Sequence, residues 1–147
     1  MTVPSHARVV VIGGGIAGCS VAYHLTKLGW RDVLLLERRD ISCGTTWHAA
    51  GLVGQLRATN NLTRLARYGA DLYERLEAET GQSTGFKPVG FIEAAADAER
   101  LEEFRRVAAF NRHVGLEVHE IGPTEIADLF PLANTGDLLA GFYVPQD

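Results

Sequence analysis

The chain has 147 residues, about one domain by length. Its 46% hydrophobic and 22% charged residues are ordinary for a globular protein and exclude disorder as its default state. Net charge is −4, and the 12 arginines and two lysines, Lys27 and Lys87, are interleaved with acids, so the basic stripe that nucleic acid requires is missing.

After a short polar leader, the β-branched run Arg8 to Ile12 predicts a strand, and Val33 to Leu36 predicts another. Neither alternates with polar residues, so both are expected to be buried on two faces, as in a parallel sheet. Between them Ile16 to Leu28 predicts a helix, with small residues at Ala17, Cys19, Ser20 and Ala22 and a stop at Gly29. No apolar run exceeds four residues, against the ~20 needed to cross a bilayer, so no membrane span is expected. The glycines at 13 to 15 interrupt the first run, so no secretory signal is expected either.

Asn61 to Thr80 predicts a long helix with Leu62, Leu65, Leu72 and Leu76 on its apolar face, closed by Gly81. Val89 to Ala95 predicts a strand. Asp97 is placed to cap a third helix reaching His113, with Leu101, Phe104, Val107, Ala108 and Phe110 as its apolar set. Glu117 to Ile121 alternates as a half-buried strand, Pro123 opens a short helix, and Leu138 to Val144 is a last strand. The pattern changes character near Gly85, which sets a domain boundary between residues 1–84 and 85–147.

The residues Gly13-Gly14-Gly15-Ile16-Ala17-Gly18 match GxGxxG between a strand and a helix, and the acid Glu37 ends the next strand 19 residues after Gly18. That context is the dinucleotide-binding fingerprint. Gly13 allows the tight turn, Gly15 lets backbone approach a pyrophosphate, and Gly18 allows close helix–strand packing. The helix start at Ile16 and Ala17 offers N–H groups to phosphates. Glu37 can accept from the ribose hydroxyls, which disfavours a 2′-phosphate there; Arg38 and Arg39 soften that argument. An NAD-binding module without flavin is compatible with this unit alone.

Following residues are more specific. The words VVVIGGGIAGCSVAYHL, LLER, GTTWHAAGL, ETGQSTGFKPVGFI and GFYVPQD together span nearly the whole chain. In them the sequence resembles the flavin-dependent amine oxidoreductases of the D-amino-acid oxidase superfamily, most of all the dimethylglycine and sarcosine dehydrogenases and their bacterial oxidase relatives. The resemblance implies an α/β fold: a Rossmann-like FAD-binding domain with a parallel sheet, then the start of an α+β substrate domain. It implies FAD carried covalently by His48, with Gly44, Thr45 and Thr46 along the phosphate–ribityl region. Ala49 to Leu52, Gly51 included, would lie beneath the isoalloxazine ring.

The activity implied is hydride transfer from an N-methyl amine to flavin, with oxygen or an electron-transfer flavoprotein as acceptor. A folate-binding domain, appended in many relatives, would lie outside these residues, and the chain is expected to be the N-terminal portion of a longer enzyme. No catalytic acid or base is visible. Two alternatives remain: an oxidase of the same superfamily with another amino-acid substrate, and a non-catalytic relative like the regulatory subunit of pyruvate dehydrogenase phosphatase. Cys19 and Cys43 lack CxxC spacing, which excludes a disulfide scaffold and fits a reducing, cytoplasmic setting. His24, His113 and His119 have no partners at metal-ligand spacing, so no metal is expected. Cys19 and Trp47 read as packing residues, and Cys43 as a free thiol in a loop.

Overall fold

The computed structural model describes residues 3–147. The first strand β1, Val9–Ile12, leads into helix α1, Ile16–Lys27, and then into β2, Val33–Leu36. The two strands pair in parallel, Val9 opposite Val33 through Ile12 opposite Leu36. Helix α1 ends where its backbone must reverse. Gly29 takes φ +84° and donates to Thr26 O, and Trp30 donates to Leu25 O.

Both strands are less buried than their sequences predict. In β1 half-buried Val9 and Val11 alternate with exposed Val10 and Ile12, the last 86% exposed, and β2 is half-buried throughout. Helix α1 packs against both strands, and Val11 faces Gly18 on that side. On the opposite side nothing among the described residues covers Val10 and Ile12. Burial of a parallel strand on two faces needs cover on both, and here one is present.

A single 3₁₀ turn, Thr45–His48, precedes the long helix α2, Asn60–Thr80. Then follow β3 at Phe91–Ala95, α3 at Ala98–His113, β4 at His119–Ile121, α4 at Pro123–Leu129 and β5 at Ala140–Val144. Helix α3 starts at Asp97, whose carboxylate accepts from Arg100 N at 2.7 Å. Helix α4 starts with Pro123, and Glu125 reaches back to the N–H of Gly122 at 2.8 Å. Strands β3 and β4 both pair antiparallel with β5, giving the order β3-β5-β4.

The central strand β5 carries the core. Phe142 and Val144 are fully buried with Leu56, Ala108, Leu116 and Val118, and Phe104 meets Phe142 edge-on at 5.8 Å. Residues Leu101 and Val107 of α3 close over them.

As compact units the chain divides into Met1–Leu52 and Val53–Asp147, earlier than the 84/85 boundary drawn from the change in pattern. The reason is α2. Its buried residues are Thr63 and Ala70, while Leu62 and Leu65 of the expected apolar stripe are 51% and 67% exposed. Thr63 Oγ1 donates to Asn111 Oδ1 at 2.9 Å, and Asn111 Nδ2 donates to Arg57 O and Val107 O. Arg67 adds a bond to Val114 O. These bonds tie α2 to α3, so it belongs with the second unit. No helix among the described residues is long and apolar enough to cross a membrane.

Candidate dinucleotide site

The turn after β1 is built from three glycines with different duties. Gly13 takes φ +107°, a conformation favouring glycine, and donates to Leu36 O at 2.8 Å, tying the turn to the end of β2. Gly14 is buried, and its N–H donates to Glu37 Oε2 at 2.7 Å. Gly15 is the extended residue that opens α1. One turn later, a Cβ on Gly18 would sit 1.8 Å from Gly13 O. Only hydrogen fits there, so Gly18 sets how closely α1 approaches the loop.

The N-terminus of α1 is suited to an anion. Its first turn holds no acid, and Gly15 supplies no side-chain cap. The first intrahelical bond runs from Cys19 N to Gly15 O, so the N–H groups of Ala17 and Gly18 precede it and lack helical acceptors. They add to the partial positive charge of the helix start. Ile16 N donates to Thr46 Oγ1 at 2.9 Å. That hydroxyl serves as acceptor and keeps its own proton for a neighbouring phosphate oxygen. Gly15 lies under the same group, with Thr46 Oγ1 3.1 Å from where its Cβ would be.

Glu37 closes the other side. Its Oε2 holds Gly14 N, and its Oε1 accepts from Arg39 N at 3.1 Å. The bond from Gly14 and then that from Arg39 hold its carboxyl below the ordinary carboxylate value, with smaller help from the Arg38 backbone and charge. Each oxygen has a further lone pair, so the charged group can still accept from a diol. Arg38 itself is exposed.

Two hydrogen bonds, one between backbones and one to a side chain, bring the later segment to this loop. Ser42, at φ +67°, donates to Gly14 O at 2.9 Å, and Thr46 holds Ile16 as described. Gly13, Gly15, Ile16, Gly18, Glu37 and Thr46 therefore form one cluster, with Ala17 in the same first turn. No hydrogen bond among the described residues ties Gly44, Thr45, Gly51 or Leu52 to that loop. Leu52 is 74% exposed and Gly51 turns at φ +79°. His48 ends the 3₁₀ turn, exposed, with Trp47 stacked against it. Trp47 is 67% exposed, so it is not the packing residue expected. Cys19, also expected in the core, is half-buried, with its thiol directed to Gly14 O.

Gly14 and Ser42 went unassigned in the sequence reading. A third glycine in the loop is a signal for Gly14; a backbone N–H leaves none for Ser42. Cys19 and Cys43 are free thiols. No group of His, Cys, Asp and Glu among the described residues is arranged for a metal ion. The donors at α1, the open space beside Gly13 and the charged acceptor Glu37 fit a pyrophosphate joined to a ribose.

Comparison with known proteins bears on which dinucleotide this is. The FAD dependent oxidoreductase family matches residues 8–147. The chain is 44% identical over 145 residues to mitochondrial sarcosine dehydrogenase of Mus musculus, covering 98% of this chain and 16% of that protein. It is 45% identical over 141 residues to mitochondrial dimethylglycine dehydrogenase of Rattus norvegicus, covering 96% and 16%. It is also 40% identical over all 147 residues to the mitochondrial pyruvate dehydrogenase phosphatase regulatory subunit of Mus musculus, 17% of that protein's length. Among solved structures, L-proline dehydrogenase from P. horikoshii superposes with a TM-score of 0.90 at 28% identity, over 99% of this chain and 38% of that one.

Proposed function

The chain belongs to the FAD dependent oxidoreductase family, and from that premise we propose that it supplies the dinucleotide-binding portion of an enzyme that oxidises an N-methyl amine such as dimethylglycine or sarcosine. Gly13, Gly15, Ile16, Ala17, Gly18 and Thr46 hold the FAD pyrophosphate. Glu37 accepts from the adenosine ribose, with Arg38 beside it. Gly44 and Thr45 follow the ribityl chain, and Gly51 and Leu52 lie against the flavin. His48 carries the flavin covalently. Bound there, FAD supplies a two-electron acceptor for hydride from the carbon beside the amine nitrogen. The acceptor that would reoxidise it is oxygen or an electron-transfer flavoprotein.

One observation carries this reading. The bonds Ser42 N to Gly14 O and Ile16 N to Thr46 Oγ1 hold the Gly-Thr-Thr-Trp-His segment beside the phosphate loop. A histidine two residues beyond Thr46 is then within the reach of a cofactor docked by its phosphates. A fingerprint serving NAD has no need of that segment. Matches to the sarcosine and dimethylglycine dehydrogenases support the substrate class.

The test is direct. The purified protein should be yellow, and the colour should stay with the polypeptide after acid precipitation. A tryptic peptide from Asp40 to Arg57 should carry the flavin mass on His48. His48→Ala should bind FAD and release it in acid. Colour released quantitatively from the wild type would remove the covalent link from the proposal. A second reading, a non-catalytic regulatory subunit, is favoured by the match to the phosphatase regulatory subunit over the whole chain. Bleaching of the flavin by dimethylglycine or sarcosine without oxygen separates the two, because only the enzyme bleaches.

A further inference from the structure

The second unit holds a cavity to which no task has been given. Its volume is about 410 Å³, within the range of small-molecule sites, and its lining runs from Gln55 to Gln146, all inside that unit. The floor is closed: Gln55 and Ala70 are 5% exposed and Leu116 is 4% exposed. One wall is helix α2, where Arg67, Asp71 and Glu74 follow at helical spacing and share a face. The facing wall carries Phe86, braced by Tyr73 at 6.3 Å, and Pro145.

The charges on α2 do not neutralise one another. Arg67 precedes Asp71 by one turn, the spacing at which an ion pair forms readily. Its Nη1 instead donates to Val114 O at 3.1 Å. Among the described residues no ion pair or side-chain hydrogen bond engages the carboxylates of Asp71 and Glu74. Both are exposed, while Arg67 is half-buried and keeps further N–H donors beyond the one in use. Gln55 adds an acceptor. Its backbone N–H donates to Asp147 Oδ2 at 2.9 Å, and its side-chain amide also faces that carboxyl. Its carbonyl oxygen is then turned away, with no donor among the described residues, on a nine-tenths-buried side chain that borders the cavity. Such an acceptor gains from any donor that enters.

We propose that this cavity binds a small N-methylated amino acid as its zwitterion. Arg67 takes the carboxylate, Asp71 and Glu74 hold the ammonium charge, and the Gln55 carbonyl accepts its N–H. The methyl groups lie against Phe86 and Pro145, since a methylated ammonium favours an aromatic face. A plain anion would meet two carboxylates, and a plain cation would meet Arg67; a ligand of both signs satisfies the unpaired charges together. One carbon between the two ends suits partners one helical turn, about 5.4 Å, apart. The chemistry of the cavity selects this class without recourse to the substrate proposed above, although it agrees with it.

The experiment counts bound ligand. Holoprotein is reduced with dithionite under nitrogen, so that the flavin accepts no hydride, and dialysed to equilibrium against radiolabelled dimethylglycine. Asp71→Asn/Glu74→Gln removes two charges from exposed positions with little change of shape, and its flavin content should match the wild type. The wild type should bind one more dimethylglycine per chain than this variant, in which that ligand is held about tenfold more weakly or worse. Arg67→Lys keeps the charge and should retain part of the affinity that Arg67→Gln loses. Tetramethylammonium and acetate, which each lack one charge, should displace the ligand about tenfold less well than unlabelled dimethylglycine.

Equal counts for the wild type and Asp71→Asn/Glu74→Gln overturn the inference. Displacement by tetramethylammonium as effective as by dimethylglycine overturns it too, because the cavity would then hold a cation without Arg67. The oxidase reading fails separately: no bleaching by dimethylglycine, with the difference of one ligand preserved, removes that reading and supports the site.

Discussion

Among the described residues up to Leu52, one is buried, and it is a glycine, Gly14. Past Val53 the buried set includes Leu56, Leu116, Val118, Phe142 and Val144. The first unit is ordered by backbone: a parallel strand pair, Gly13 on Leu36, Ser42 on Gly14, and a carboxylate holding the loop from outside. The second is ordered by side chains packed on β5. A unit held by its backbone around a loop rich in open donors draws stability from whatever ligand satisfies them. A unit with its own core does not need one. The difference teaches where substitutions should act on cofactor binding and where on folding.

The largest separation is expected at Gly18. Adding a methyl there drives it onto Gly13 O, 1.8 Å away, and neither atom belongs to a flexible side chain. Gly18→Ala should abolish FAD retention, read as the flavin-to-protein absorbance ratio, while slow amide exchange along β5 persists. Wild-type flavin content in this variant would break the assignment of the loop.

Phe142→Ala is the mirror experiment. The ring is fully buried against Phe104, so removal should cost about 3–5 kcal/mol in denaturant unfolding monitored in the second unit. Molecules that remain folded should keep their flavin. Loss of flavin in step with stability would show that the two units do not act separately.

A smaller effect is expected at the buried polar pair. Asn111→Ala leaves the Thr63 hydroxyl without its 2.9 Å acceptor and takes from Arg57 O its 2.7 Å donor, leaving only the 3.4 Å bond from Thr63, a cost of about 1–3 kcal/mol. Thr63→Val in the same background should add little, because the two side chains share one network. A fully additive double variant would contradict that coupling.

The same contrast explains what was legible in the sequence. Gly13, Gly18 and Glu37 each answer one geometric demand, so their residue types announce it. Asp97 and Pro123 announce helix starts for the same reason. The leucines of α2 do not announce their cover. Leu62 and Leu65 form an apolar face, but the residues α2 buries here are Thr63 and Ala70, and Thr63 is held by Asn111 across the way. Likewise Val10 and Ile12 look like core and stand exposed, since periodicity reports which side is apolar and not what lies against it. The 3₁₀ turn at Thr45–His48 is too short to show a period, and the Trp47–His48 stack follows from that turn. Ser42 acts through its backbone N–H, which every non-proline residue has.

The smallest effect is a difference in sign with pH. Glu37, in the first unit, has its carboxyl lowered from 4.5, mainly by the N–H of Gly14. Its folded state favours the charged form, so its contribution to stability is present above the unfolded value and is lost as pH falls through the lower folded one. In the second unit burial raises Glu93 from 4.5 and Asp147 from 3.8, with nearby Arg57 opposing both shifts. Asp147 Oδ1 is buried without a partner, while its other oxygen accepts from Gln55 N at 2.9 Å. Their folded state favours the protonated form, so the contribution of these two groups is full below the unfolded values and is lost as pH rises through the folded ones. Lowering the pH from 7 toward 4.5 should therefore strengthen the second unit through Glu93 and Asp147 before Glu37 begins to weaken the first. Carboxyl carbon NMR titration reads the three groups individually, and denaturant unfolding at each pH reads the consequence. Asp147→Asn should flatten the slope of the second unit and leave that of the first, and Glu37→Gln should do the reverse. Slopes of one sign in both units would show that the carboxylates of the two are held alike.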